Sequence, residues 1–140
     1  MIDPAIAPER LHGTWRLVGS RATDAAGRPL PPPWGPEPIG RLVLERNGRM
    51  IAMLCDGRAD LPAGVARAYS SYCGAYRVEG DTLTTLVDGA VDPARIGGAQ
   101  VRRLAMEGER LLLMPPRGAD GAQRVLIWER DESTGLESMS

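Results

Sequence analysis

The chain has 140 residues, 17 of them basic and 18 acidic, for a formal charge of −1, so no global basic field draws it to nucleic acid or to an anionic membrane. Every basic residue is an arginine and lysine is absent, which excludes Schiff-base chemistry and a phosphate-binding P-loop. A chain of this length is expected to fold as one domain, 1–140, and to bury roughly two thirds of the surface its unfolded form exposes.

Asp3 and Glu9 stand where a secretory leader needs positive charge. No stretch approaches the ~20 apolar residues of a membrane span. The expectation is a soluble, cytoplasmic protein with no membrane partner, whose Cys55 and Cys73 stay reduced.

In chain order, a first strand is expected over 14–23, ended by the turn Asp24-Ala25-Ala26-Gly27, whose glycine accepts a positive φ. "PLPPPWGPEP", 29–38, is too proline-rich for a helix or an internal strand and reads as an extended surface segment. Strands over 39–46 and 49–55 flank Asn47-Gly48, the strongest short hairpin signal. Residues 63–71, "AGVARAYSS", after Pro62, predict two turns of helix, weakened by Gly64. Strands over 74–79 and 82–90 meet at Gly80-Asp81; a loop holding Asp92, Pro93 and Gly97-Gly98 leads to strands over 100–107 and 110–114. A Pro/Gly loop precedes the last strand, 122–130, and the tail 131–140 is expected to fray. Eight or nine short antiparallel strands with one short helix predict an all-β fold, an up-and-down barrel rather than a sandwich, because closure leaves no exposed edge.

The first strand opens on Gly13, Thr14 and Trp15, and the last ends in "RVLIWER", finishing at Arg130. A guanidinium flat on an indole gains ~0.5–2 kcal/mol and would join the last strand to the first at a closed barrel end. At these residues the chain resembles the lipocalin and calycin superfamily, and more closely the bacterial lipocalin-like domain family. "GTWRLVGSRATDAAGR", "GPEPIGRLVLERNGRM", "YCGAYRVEGDTLTTLVDGA", "AQVRRLAMEGERLLL" and "VLIWER" follow that family's order over about nine tenths of the chain. The resemblance implies a lipocalin-like β-barrel closed by Trp15 and Arg130. Many members carry a histidine near the positions of Thr85 and Leu86; this chain departs from that pattern.

Period-two alternation assigns an inner wall. It selects Leu42 and Leu44, then Tyr72, Tyr76 and Val78, then Leu83, Thr85 and Val87, and then Gln100 and Arg102 with Leu104 and Met106. Such a wall, apolar with a few hydroxyls, suits a small organic ligand. An inward Arg102 needs an internal carboxylate such as Asp88 or another acid near a barrel end, a ring of carbonyls, or else the carboxylate or enolate of a ligand. Tyr72 and Tyr76 read as packing residues or as hydrogen-bond donors. Trp34, among prolines, is a lip of the mouth or a surface clasp. Trp128 belongs to the core wall, and Met50 and Met53 offer adaptable lining.

His12 is the only histidine and precedes the plug, so a histidine-based metal cluster or triad has no support, and Cys55 with Cys73 lacks zinc-ligand spacing. No cofactor and no metal are expected. One reading is a barrel that binds a small apolar or aromatic molecule, with Trp34, Leu42, Leu44, Met53, Tyr72, Tyr76, Thr85, Gln100, Arg102 and Trp128 around it. A second is a cofactor-free cyclase or isomerase of secondary-metabolite, polyketide-type biosynthesis, with Arg102 and Tyr76 as its acting groups. A third is an interaction domain with a filled core. Pairing of two barrels into a homodimer stays open.

Overall fold

A computed structural model describes residues 6–132. Nine strands follow one another in the chain: β1 (Gly13–Thr23), β2 (Pro29–Leu30), β3 (Pro38–Leu44), β4 (Arg49–Asp56), β5 (Tyr69–Glu79), β6 (Thr82–Ala90), β7 (Ala99–Glu107), β8 (Arg110–Met114) and β9 (Gln123–Arg130). Each pairs antiparallel with its neighbour in the order β2-β1-β3-β4-β5-β6-β7-β8-β9, and β1 also pairs with β9. Eight strands therefore close into a barrel. The two-residue β2 only extends the far end of β1, with Ala22 opposite Leu30 and Thr23 opposite Pro29.

The turns form where the turn residues stand. Asp24 accepts from the backbone N–H groups of Ala26 and Arg28 at 2.9 and 2.8 Å, fixing the β1–β2 hairpin before a Gly27 of positive φ. Gly74 has a different role. β5 and β6 shift register beside it, and the β6 carbonyl of Leu86 approaches so closely that no Cβ could be accommodated.

The helix predicted over 63–71 is not formed. Among the described residues the only helical segments are single 3-10 turns at Pro8–Arg10 and Pro93–Arg95. Its second half is drawn into β5, where Tyr69, Ser70 and Ser71 pair with Cys55, Leu54 and Met53. Ahead of it residues 62–65 make a single turn with Gly64 at positive φ, and 66–68 is tied to the end of β4 by Arg67, whose guanidinium donates to the carbonyls of Asp56 and Arg58 at 2.6 and 2.7 Å, and by the Asp56 N–H on the Ala68 carbonyl. Sheet pairing and these long-range bonds outweigh a helix of two turns that already contained a glycine. The expected fraying of 131–140 lies, beyond residue 132, outside the described residues.

Alternation places one row of side chains from each strand inside. Trp15, Leu42, Leu44, Met50, Leu83, Leu104, Leu111 and Trp128 are all at most 3 % exposed and form one cluster. Leu11, just before β1, caps it from below. Along the barrel axis this cluster runs from Leu11 and Trp15, where β1 begins and β9 finishes, to Leu54, Tyr72 and Val87 towards the other end.

Candidate functional site

The packed end is locked by Arg130. Its guanidinium carbon lies 4.3 Å from the centre of the Trp15 ring. One terminal nitrogen donates to the His12 carbonyl at 2.6 Å and the other to the Arg10 carbonyl. Trp15 itself donates from Nε1 to the Leu11 carbonyl at 2.9 Å, so both partners are fixed by backbone. Gly13 leaves room for the guanidinium: its φ is +122°, and a Cβ there would stand 2.8 Å from Arg130 Nη1. This end is a plug.

The opposite end has a different chemistry. The 3-10 turn Pro93–Arg95 begins at Asp92, whose carboxylate caps the Ala94 N–H. The loop that follows is pinned to β6 by Gly97 N–H on the Val87 carbonyl and Val87 N–H on the Gly98 carbonyl. These bonds bring Arg95 over the Tyr72 ring at 4.4 Å. The same guanidinium donates to Ser70 Oγ at 3.1 Å and to Gln100 Oε1. Gln100 and Arg102 stand on one face of β7, opposite Thr85 and Leu83 of β6. Arg102 is half-buried, and its guanidinium donates to the Val101 carbonyl at 2.9 Å.

An open depression of about 380 Å³ lies here on the rim, lined by Val87, Arg95, Gln100 and Arg102 together with the exposed Ala99, Val101 and Pro116. Burial pushes the Tyr72 phenol up, opposed by the charges of Arg102 and Arg95 and by a hydrogen bond with Gln100, so the hydroxyl keeps its proton. Burial also lowers Arg102, and the nearby Arg95 charge adds to that, while Tyr72 opposes it. The Nε2 of Gln100 is buried, with the Tyr72 hydroxyl as the group it can donate to. The cluster therefore offers several donors and two positive charges to one small space.

The sequence-predicted residues divide between the two ends. Tyr72, Gln100 and Arg102 come together at the hollow, with the buried Thr85, 1 % exposed, directly behind Gln100 on β6. Trp34 packs half-buried against the core, on the segment leading into β3. The next residue, Gly35, lies against the Asp56 carboxylate where β4 ends, which puts Trp34 at the open end as well. Leu42, Leu44 and Trp128 belong to the packed interior. Tyr76 lies towards the plug, where its hydroxyl donates to the Glu45 carbonyl of the Asn47-Gly48 hairpin at 2.7 Å.

Two expectations are corrected. Met53 does not line the interior: Met50, Ala52, Leu54 and Asp56 are the buried residues of β4, and one residue's offset turns Met53 outward opposite Arg41. Asp88 is not the partner of Arg102 either, because Val87 takes the inner position on β6. Asp88 instead grips Arg49 on the outer surface, with two bonds of 2.6 and 2.9 Å. Sequence reading missed Arg95 altogether. Its strand-free context gave no period to place it, and the loop bonds to β6 set its position.

Eight antiparallel strands closed into a barrel, with an arginine of the last strand lying on a tryptophan of the first, define the fold. The sequence profile of the lipocalin-like domain matches residues 12–63 and 56–131, and the chain belongs to that family. No curated protein matches it at a meaningful level.

Proposed function

We propose that the protein holds a small organic molecule at the open end of its barrel, with an apolar or aromatic body against the inner wall and a polar group at Tyr72, Gln100 and Arg102. The observation that carries this reading is the convergence of inward polar groups, Tyr72, Gln100 and Arg102, on one open depression at the end away from Trp15. Family membership supports a ligand-binding barrel in general. Both cysteines are free thiols on the outer face, Cys73 opposite Ile51 and Cys55 opposite Tyr69. Free thiols fit the cytoplasmic setting proposed for the protein.

The test is native mass spectrometry of the protein purified from its own host, followed by denaturing extraction. A small molecule released in near one-to-one amount is the expected result. An empty protein that also takes up no environment-sensitive apolar dye would overturn the reading in favour of a filled-core interaction domain.

A second reading, a cofactor-free cyclase or isomerase, is favoured by one pairing. A protonated Tyr72 and a desolvated Arg102 stand at the same hollow, and together they would stabilise an enolate as it forms. On that reading Arg102→Leu lowers turnover far more than it lowers folding stability. Equal losses in both would make Arg102 structural.

A further inference from the structure

We infer that the open end is built for an anion: the ligand carries a carboxylate, seated between the guanidiniums of Arg95 and Arg102 with the Gln100 amide and the Tyr72 hydroxyl as neutral donors. The inference rests on the reading of this end as the ligand site and adds the chemical class of the group that anchors there.

Charge bookkeeping leads to it. The ion pairs found among the described residues use Arg16, Arg28, Arg41, Arg49, Arg58, Arg77 and Arg110, and none involves Arg95 or Arg102. What these two arginines do touch is neutral. Arg95 has the Ser70 hydroxyl, the Gln100 carbonyl oxygen and the Tyr72 ring; Arg102 has the Val101 carbonyl. The nearest acid in sequence, Asp92, turns its carboxylate to the Ala94 N–H.

Two like charges close enough to disfavour one another, one of them half removed from water, are an arrangement that folding alone does not select. A bound anion reverses the sign of that interaction and restores what desolvation took away. The planar fork of a guanidinium matches a carboxylate with two parallel bonds, and a second fork completes a clamp. The buried Nε2 of Gln100, beside the Tyr72 hydroxyl, adds a neutral donor to the same space. A neutral ligand would leave both charges unbalanced.

The probes are 2-naphthoate and 2-naphthamide, equal in ring and nearly equal in size, titrated into the full chain and followed by backbone amide resonances. Naphthoate is expected to perturb residues 94–102 and to bind about ten-fold more tightly than the amide at low salt, with the preference shrinking as salt rises. Arg95→Gln and Arg102→Gln should each weaken naphthoate far more than naphthamide and so remove most of that preference. Arg103→Gln, on the same strand with an outward side chain, should leave it intact. If a glutamine variant fails to fold, the lysine variant keeps the charge and loses the fork, and a retained but reduced preference is then expected.

Equal affinity of the two probes at 94–102, unaltered by the variants, overturns the anion site and leaves the open end as a neutral-ligand site. Binding of neither probe at 94–102, or perturbation centred elsewhere, overturns the open-end site together with the inference.

Discussion

Each end of the barrel carries an arginine lying on an aromatic ring, Arg130 on Trp15 at 4.3 Å and Arg95 on Tyr72 at 4.4 Å. The two contacts are alike in geometry and opposite in surroundings. Arg130 is held by main-chain carbonyls of Arg10 and His12, acceptors that cannot turn away, and its tryptophan is held by another carbonyl. Arg95 is held by a serine hydroxyl and an amide, side chains with their own rotamers, beside a second arginine and a hollow. A guanidinium whose bonds end on backbone belongs to the fold. One whose bonds end on adjustable side chains can exchange them for those of a ligand.

The comparison breaks most visibly at the plug. Trp15→Ala removes the largest buried side chain of that end and should cost ~3–5 kcal/mol in denaturant unfolding. Arg130→Leu, which frees two carbonyls and the indole face, should cost ~1–3 kcal/mol. Gly13→Ala should cost about as much, ~1–3 kcal/mol, because alanine is strained at φ +122° and its methyl displaces the guanidinium. If either variant unfolds at the wild-type midpoint, the plug is not what closes the barrel.

At the open end, acid provides the intermediate test. Asp56 is buried, and the Arg58 guanidinium holds its carboxyl down to about 2 against the effect of burial. The folded value lies below the unfolded one, so this contribution is complete above about pH 4 and is lost as pH falls towards about 2. The melting temperature should drop across that window, and the gap between wild type and Asp56→Asn should close at its lower edge. A gap that persists unchanged at about pH 2 would mean that the charge of Asp56 is not what ties down the 56–68 loop.

Smaller effects sharpen the contrast. Arg102→Leu should change stability by no more than ~1 kcal/mol, and in the stabilising direction, because it removes a half-buried charge without an ionic partner among the described residues. A loss of several kcal/mol would place Arg102 with Arg130 as a part of the scaffold. Met53→Thr, outward on β4, should fall within ~0.5 kcal/mol.

The plug was legible in the sequence because its parts are local and chemically distinctive. Gly13 and Trp15 open the first strand, Arg130 ends the last, and closure of an antiparallel barrel brings first and last strands together. The turns at Asn47-Gly48 and Gly80-Asp81 were legible for a similar reason, since few residues accept their backbone angles. The open end was only half legible. Alternation turned Gln100 and Arg102 inward, whereas grouping Met53 with Met50 as adaptable lining does not rest on it, and residues three apart on a strand face opposite ways. It could not pair Arg102, because the partner of an inward side chain is chosen across strands. The predicted helix over 63–71 failed on the same ground: the β4 strand and the carbonyls of Asp56 and Arg58, outside the segment, bind its end and its Arg67.

The sequence by itself determined an all-β, antiparallel barrel and which end is sealed, because strand period, turn residues and a tryptophan with its arginine act over short range or between the chain's two ends. Only the tertiary structure decided what the other end offers. The meeting of Arg95 with Tyr72, Gln100 and Arg102 depends on a loop held to β6 by backbone bonds and on a register shift beside Gly74. Such long-range closure sets distances that no local pattern encodes.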